Sequence, residues 1–253
     1  EDQRGDRQPE FTQLDMEMSF VHREDVMELN QRGIMGMAKA LAPHKKIAKD
    51  VPVFTYHDAM NTYGIDKPDL RYELKMCEVT DTVKESGFSV FADAVKNGGV
   101  VKALRVPGGA KFTRKEIDEF TEVARVYKAK GLAYITHNDE GIKSPILKFL
   151  SEKEQEAIIK TTGLEKGDIV FFGADKWEIA CNALGHVRIA VAEKMKLADP
   201  NVFAFCWVVD FPMFEVLDDG TVQAMHHPFC SPIVEDAPLM DSVPMKVRAN
   251  AYD

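Results

Sequence analysis

Residues 6–20 read DRQPEFTQLDMEMSF, and the alternation inside this stretch decides how the rest of the chain is interpreted. From position 11 onward, one side of the pattern carries Phe11, Gln13, Asp15 and Glu17, and the other carries threonine, leucine and methionine. A period of two residues is typical of a half-buried β-strand. The polar side combines a ring, an amide and two carboxylates. Two interpretations follow: an exposed hairpin with a polar outer face, or a strand floor that holds a small charged ligand.

A charged loop precedes this stretch. Residues 1–8 read EDQRGDRQ, in which Arg4 and Arg7 stand among acidic residues around Gly5, and Pro9 closes the segment. The planar forks of arginine match phosphates and base edges. Exposed arginines beside acidic residues are, however, usually part of a solvated loop. Spacing alone therefore leaves both roles open.

The composition is that of an ordinary globular protein, since the 253 residues are 45% hydrophobic and 29% charged. The net charge of −9 gives no overall basic footprint for nucleic acid, although local arginines can still contact phosphates. No apolar run approaches the ~20 residues of a membrane helix, so we expect no membrane partner. Four dispersed cysteines without a C-x-x-C pair indicate a reducing, cytoplasmic environment. Because the chain opens with Glu1, we expect an internal part of a longer protein.

The pattern along the chain predicts a sheet domain interrupted by an inserted block. Before the block we predict a helix over residues 23–41, a strand over 51–56 and a helix over 57–63. The turn-rich segment GIDKPDLR at residues 64–71 marks the first boundary. After the block, residues 202–211 (VFAFCWVVDF) form the most apolar predicted strand, and DDG at residues 218–220 predicts a hairpin turn. Both flanks are predicted to be antiparallel strands of one sheet.

The middle block alternates predicted strands and helices, which suggests its own α/β or α+β sheet. Its capping boxes, TRKE and SEKE, begin helices at residues 113 and 151. The glycine pairs lack the context of a phosphate-binding motif and are interpreted as turns. The predicted strands lie at residues 88–91, 100–106, 132–136 and 169–172, and a long helix is predicted over residues 175–197.

Adjacent histidines, His226 and His227, are the first candidates for chemistry. Neighbours on a strand face opposite sides, so two adjacent imidazoles do not easily ligate one metal ion. Zinc-binding spacings such as HExxH do not occur, which argues against zinc. One histidine facing a pocket that binds an anionic substrate is plausible, and two polar residues at a hairpin end is an equal alternative.

Eight segments, in order and at characteristic spacings, resemble the bacterial-type aspartyl-tRNA synthetases: EDQRGDRQPEFTQLDMEMSF, GIDKPDLR, ALRVPGGA, KGLAYI, GDIVFFGAD, VVDFPMFE, AMHHPF and ANAYD. The resemblance implies an α+β fold, in which the antiparallel catalytic sheet of a class II synthetase is flanked by helices and interrupted by an inserted α/β-type domain. It places the catalytic domain at residues 1–70 and 200–253 and the insertion domain at residues 71–199. It also implies a homodimer that joins L-aspartate to ATP, with Mg²⁺, and transfers aspartate to tRNA(Asp).

The resemblance further implies individual roles. Glu1, Gln8 and Phe11 correspond to ATP-binding positions, with the phenylalanine ring stacking on adenine. Asp15 and Gln13 correspond to groups around the aspartate ammonium, and His226 and His227 to groups that bind the rest of that amino acid. Arg4 and Arg7 correspond to contacts with the tRNA acceptor stem. Asp253 corresponds to a magnesium-binding carboxylate. No residue is implied as a general acid or base.

Other interpretations stay open. One is a non-catalytic RNA-binding or interaction module that shares the insertion domain, and another is an enzyme that charges both tRNA(Asp) and tRNA(Asn). The family's α-phosphate arginine, first and third motifs and anticodon-binding domain are not among these residues. We therefore expect the 253 residues alone to be inactive.

Overall fold

The structure, a computed structural model, describes residues 10–217, 219–227 and 229–252. The chain divides into two compact units, Glu1–Lys45 and Lys46–Asp253. In the first unit, residues 10–22 have no regular secondary structure, and α1 (Arg23–Leu41) follows. The backbone N–H of His22 donates to the Asp25 carboxylate at 2.8 Å, which caps the first turn of α1. The helix predicted over residues 23–41 is confirmed.

The strand predicted over residues 11–18 is wrong. These residues form neither a helix nor a strand, and all of them are exposed. A β-strand needs a hydrogen-bonded neighbour, and the described part of this unit contains no second strand. An alternating pattern indicates which side of a strand would be buried. It does not provide the neighbouring strand whose hydrogen bonds are needed to form a sheet.

The second unit is a succession of short strands and helices. In chain order they are β1 (Lys46–Ile47), β2 (Val53–Thr55), α2 (Tyr56–Tyr63), β3 (Met76–Glu78), α3 (Thr80–Val83), α4 (Ser89–Lys96), β4 (Val100–Val106), α5 (Arg114–Val126), β5 (Ala133–Asn138), β6 (Gly141–Lys143), α6 (Glu152–Thr162), β7 (Ile169–Asp175), α7 (Trp177–Met195), β8 (Val202–Phe203), β9 (Trp207–Val209), β10 (Phe214–Val216) and β11 (Val222–Ala224).

A five-stranded antiparallel sheet with the order β3-β4-β7-β5-β6 is the centre of this unit. Adjacent residues of a strand face opposite sides, so Phe171 and Phe172 of β7 enter different cores. Phe171 packs with Phe120 of α5 and Leu184 of α7 on one side. Phe172 packs with residues of α4 and α6 on the other. Helices thus cover both faces of an antiparallel sheet, which confirms the α+β class.

Two helices of this unit begin as their sequences predict. The Thr113 hydroxyl accepts from the N–H of Glu116 while the Glu116 carboxylate accepts from the N–H of Thr113, and Ser151 and Glu154 make the same reciprocal pair. The strand predicted over residues 88–91 is instead the start of α4. A short apolar run does not distinguish a strand from a helix, and here Phe91 and Val95, one turn apart, both face the same core.

The flanks of the central sheet pair in parallel, where antiparallel strands were predicted. β1 pairs with β8, and β2 with β9. Parallel neighbours need a long crossover, and everything between β2 and β8 serves as that crossover. The single strand predicted over residues 202–211 is divided into β8 and β9, because its partners β1 and β2 are themselves separate strands. β10 and β11 form the predicted antiparallel hairpin.

Residues 64–74, the segment that leads into β3, pack against α7 and are hydrogen-bonded to it. Gly64 has a left-handed φ of +73°, and a Cβ there would lie 2.3 Å from the Cys181 carbonyl oxygen. Arg188, fully buried in α7, donates to the carbonyl oxygens of Asp69 at 2.8 Å and Leu74 at 2.5 Å. Its guanidinium also lies 4.2 Å from the centre of the Tyr72 ring. Burial lowers the pKa of Arg188 from its usual range.

Candidate active site

The residues that the sequence predicts for the site are distributed between the two units. Phe11, Gln13 and Asp15 lie in the first unit, all exposed, and the Phe11 side chain is 69% exposed. His226 and His227 lie in the second unit. The other sequence-predicted residues, Glu1, Arg4, Arg7, Gln8 and Asp253, lie outside the described residues. The structure therefore describes the surroundings of the histidines in most detail.

His226 follows β11 and rests against the segment after β9. The backbone N–H of Met225 donates to the Met213 carbonyl oxygen at 3.0 Å, which joins the two segments next to the histidine. The His226 ring meets the ring of Phe211 edge to face, with centroids 4.9 Å apart and an interplanar angle of 89°. Phe211 is buried, whereas His226 is exposed. The imidazole thus packs against a buried aromatic ring while it remains accessible to a ligand.

His227 has a different environment. Its carbonyl oxygen accepts from the N–H of Cys230 at 3.0 Å, which forms a tight turn. Its Nδ1 accepts from the backbone N–H of Phe229 at 3.2 Å, and the two rings lie 4.7 Å apart. Because Nδ1 is an acceptor here, a neutral His227 carries its hydrogen on Nε2 and can donate from that atom.

Beside His226, residues 247–252 form a short extended segment between two others. Isolated antiparallel bridges join Val209 to Tyr252 and Pro212 to Arg248 on one side, and Pro232 to Ala249 on the other. The hydrogen bond from the Ala249 N–H to the Phe211 carbonyl oxygen is 2.8 Å long. The segment that precedes position 253 is therefore held on the same residues that support His226.

An ion cluster that sequence reasoning did not single out holds these segments together. Arg248 Nε lies 2.7 Å from Asp236 Oδ2, and its Nη2 lies 3.0 Å from the other oxygen of that carboxylate. Nη1 of Arg248 lies 3.5 Å from an Asp210 oxygen. The side-chain hydrogen bonds from Arg248 lower the pKa of Asp236, and those bonds raise the pKa of Arg248 in turn. The three residues stand in separate segments of the sequence, so no spacing rule connects them.

A second polar cluster lies where α2 meets the central sheet. The amino group of Lys102, a buried side chain of β4, contacts Asn61 Oδ1 and lies 3.0 Å from a Glu78 carboxylate oxygen. Trp177 Nε1 donates to the same Asn61 oxygen at 3.0 Å. The burial of Glu78 would raise its pKa, but the hydrogen bonds from Lys102 and Thr80 lower it overall. This cluster connects α2, β4 and α7, and we interpret its role as structural.

No group of three histidine, cysteine, aspartate or glutamate residues in the described ranges could hold a metal ion. All four cysteines are free thiols, and burial raises the pKa of Cys181 to about 11, which keeps that thiol protonated. No helix among these residues is long and apolar enough to cross a membrane.

Comparison with known proteins identifies one domain within the chain. Residues 91–184, which span α4 to the middle of α7, match the GAD domain family model. The match includes strands β4 to β7 of the central antiparallel sheet, and the segments that flank it pair with one another.

The particular family emerges from relatives that match every part of the chain. The aspartate–tRNA(Asp/Asn) ligase of Halothermothrix orenii is 47% identical over 254 residues, covering 100% of this chain and 43% of the relative. The aspartate–tRNA ligase of Bacillus licheniformis is 44% identical over 255 residues, with 100% and 43% coverage. That of Clostridium perfringens is 45% identical over 255 residues, with 100% and 42% coverage. The chain is homologous to a part of the bacterial aspartyl-tRNA synthetases, as the motifs predicted, and spans about two-fifths of their length.

Proposed function

We propose that this chain forms part of an aspartate–tRNA ligase, in which it contributes to activating L-aspartate with ATP and to transferring aspartate to tRNA(Asp). The observation that carries the proposal is the similarity along the whole chain, at 44–47% identity, to proteins named for this reaction. A non-catalytic module that shares only the GAD domain would account for residues 91–184 alone. The similarity extends over both flanks, which favours the ligase.

The proposed nucleotide site uses Phe11, Glu1 and Gln8. An exposed aromatic ring offers a flat face on which adenine can stack, and the side chain of Phe11 is 69% exposed. Glu1 would accept a hydrogen bond from the adenine amino group, and Gln8 would contact ATP. Both of these roles rest on the family motif, since the two residues lie outside the described ones.

The residues proposed to bind L-aspartate are taken from the family motif. Asp15 would pair with the substrate ammonium group, since a carboxylate is its natural partner, and Gln13 would bind beside it. His226 and His227 would bind the rest of the amino acid, and the Nε2 of a neutral His227 can donate to an anionic oxygen. The α-carboxylate of aspartate then attacks the α-phosphate of ATP in line. The contribution of the protein is to position the reactants and to stabilise charge.

The remaining proposed contacts concern tRNA and magnesium. Arg4 and Arg7 would contact the acceptor stem, because guanidinium forks match phosphates and base edges. Asp253 would hold Mg²⁺, a hard ion that prefers carboxylate oxygens. Asp253 lies outside the described residues, so this role rests on the family motif, and we derive no step through the ion.

The domain organisation we propose places the catalytic domain at residues 1–70 and 200–253 and the insertion at residues 71–199, within a cytoplasmic homodimer. Parallel pairing of β1 with β8 and of β2 with β9 supports a single domain built from both flanks. The GAD match lies inside the proposed insertion. The antiparallel class II catalytic sheet would be completed by other parts of the ligase.

The test is aspartate-dependent ATP–pyrophosphate exchange and aminoacylation of tRNA(Asp) by the full-length ligase, with Asp15→Ala as the diagnostic variant. Removing one partner of a buried charge pair costs about 2–5 kcal/mol, so kcat/KM for aspartate should fall by about thirtyfold or more. Glu28→Ala, which removes an exposed carboxylate of α1, should leave kcat/KM near the wild-type value. Undiminished aspartylation by Asp15→Ala would refute the role of Asp15, and a wild-type protein without aspartylation would refute the function.

A second candidate function is charging of both tRNA(Asp) and tRNA(Asn). The relatives from Halothermothrix orenii and Moorella thermoacetica, at 47% and 46% identity, are named for both tRNAs, whereas that from Bacillus licheniformis, at 44%, is named without tRNA(Asn). Aminoacylation of the two purified tRNAs, side by side, separates the candidates. Aspartylation of tRNA(Asn) at a rate within about tenfold of that of tRNA(Asp) would establish the broader function.

A further inference from the structure

Arg248 contacts the three segments around His226. Its guanidinium grips Asp236 through two hydrogen bonds of 2.7 and 3.0 Å. Its backbone N–H donates to the same carboxylate at 3.0 Å, and its carbonyl oxygen accepts from the N–H of Ile233 at 2.9 Å. A planar fork that meets a carboxylate in this bidentate way is geometrically specific as well as favourable.

The third contact of Arg248 reaches a strained residue. Asp210 has a left-handed φ of +58°, a conformation that costs a non-glycine residue about 1–2 kcal/mol. This bend ends β9 and directs the next residue, Phe211, into the interior, where it is 2% exposed. Arg248 Nη1 lies 3.5 Å from the Asp210 carboxylate. The guanidinium thus contacts the side chain of Asp210, the residue whose backbone turns the chain just before Phe211.

The bend immediately precedes the residue that contacts His226. The ring of Phe211 is the wall against which the His226 imidazole stands at 4.9 Å. The carbonyl oxygen of Phe211 accepts from the N–H of Ala249, the residue after Arg248. A shift of the bend would therefore move the ring that supports the imidazole.

The charges around Arg248 argue that it does not itself bind substrate. Its guanidinium contacts two carboxylates, so the cluster carries no net positive charge to attract an anion. Resting on the proposed function, we propose that Arg248 is a positioning residue for aspartate binding, which fixes the bend at Asp210 and thereby the imidazole of His226.

The experiment measures ATP–pyrophosphate exchange in the full-length ligase with Arg248→Met and Arg248→Lys. Misplacement of a binding group by about 1 Å can cost on the order of a hundredfold, so Arg248→Met should raise the KM for aspartate by about ten- to a hundredfold. The KM for ATP should change several-fold less. Arg248→Lys keeps the charge but not the fork, and its KM for aspartate should lie between those of wild type and Arg248→Met.

The matched control is Arg71, which also grips one carboxylate with a fork. Its Nε lies 2.9 Å from one oxygen of Asp69 and its Nη2 lies 2.7 Å from the other. Arg71→Met should leave the KM for aspartate within about twofold of wild type. Asp236→Asn should resemble Arg248→Lys and serves as the second variant if Arg248→Met does not fold.

Three results would overturn the inference. They are an unchanged KM for aspartate in both Arg248→Lys and Asp236→Asn, an equal rise of the two KM values, and an equal effect of Arg71→Met. Failure of the proposed function is recognised separately, because the wild-type ligase would then show no aspartate-dependent exchange. That result would remove this inference together with the function on which it rests.

Discussion

The imidazole of His226 and the buried ring of Phe211 form a T-shaped pair, with centroids 4.9 Å apart and the planes at 89°. The two residues come from segments that only the tertiary fold brings together. Phe211 cannot move without disturbing the backbone hydrogen bond between its carbonyl oxygen and Ala249. A histidine held this way is well placed to bind a ligand without a large loss of side-chain entropy.

We predict that His226→Asn raises the KM for aspartate of the full-length ligase by about tenfold or more, because a hydrogen bond to a charged group contributes about 1.5–3 kcal/mol. Steady-state exchange kinetics at varied aspartate concentrations measure this change. His44→Gln, at an exposed histidine of the first unit, is the control and should behave as wild type. An unchanged KM in His226→Asn would contradict the aspartate-binding role.

Replacing Gly64 by alanine should destabilise the protein by at least about 2 kcal/mol, since both the left-handed φ and overpacking against backbone are unfavourable. The added Cβ would lie 2.3 Å from the Cys181 carbonyl oxygen and 2.5 Å from Gly185 Cα. Gly131→Ala, where nothing lies within 4 Å of the Cβ position, is the matched control. Denaturant unfolding of the two variants measures the difference, and equal stabilities would show that the approach of α2 to α7 is not close.

Arg188→Met should lower the free energy of unfolding by about 2–4 kcal/mol, because bonds to a charged donor are lost and buried carbonyl oxygens are left unpaired. The affected acceptors are the carbonyl oxygens of Asp69, Tyr72 and Leu74. Arg188→Lys cannot reach all three and should recover only part of the loss. Thermal unfolding followed by circular dichroism tests this order of stabilities. An Arg188→Met protein as stable as wild type would contradict a stabilising role for these hydrogen bonds.

The capping box of α5 should make stability depend on pH in the acidic range. The backbone N–H of Thr113, with Lys194 and the Thr113 hydroxyl, lowers the pKa of Glu116 from 4.5 to about 2. A carboxyl whose pKa is lower in the folded state contributes stability above its unfolded pKa, and that contribution is lost as pH falls towards the folded pKa. The contribution of Glu116 should thus be full above pH 4.5 and decline between pH 4.5 and about 2.

Denaturant unfolding of wild type and Glu116→Gln at pH 6 and pH 3 measures this dependence. The variant should be less stable than wild type at pH 6, and the difference should shrink at pH 3. Glu119→Gln, at a neighbouring glutamate outside the box, should remain close to wild type at pH 6. A difference between wild type and Glu116→Gln that grows on acidification would have the opposite sign and refute the assignment.

Local patterns in the sequence predicted the elements that local physics controls. The helix at residues 23–41 and the capping boxes at Thr113 and Ser151 were confirmed because hydrogen bonds within a few residues define them. The strand predicted at residues 11–18 failed because a strand depends on a distant partner. The segment at residues 88–91 was assigned to the wrong element, since a short apolar run fits either a strand or a helix.

The sequence by itself predicted the homology to aspartate–tRNA ligases and the α+β class, through motifs that resemble those of that family. The alternation of elements in the middle block left α/β and α+β open. Only the tertiary structure decided the parallel pairing of the flanks, the packing of the Phe211 ring against His226, and the ion pairs of Arg248 with Asp210 and Asp236. These relationships join residues far apart in the chain. Their energies depend on distance and orientation in space, which no local pattern specifies.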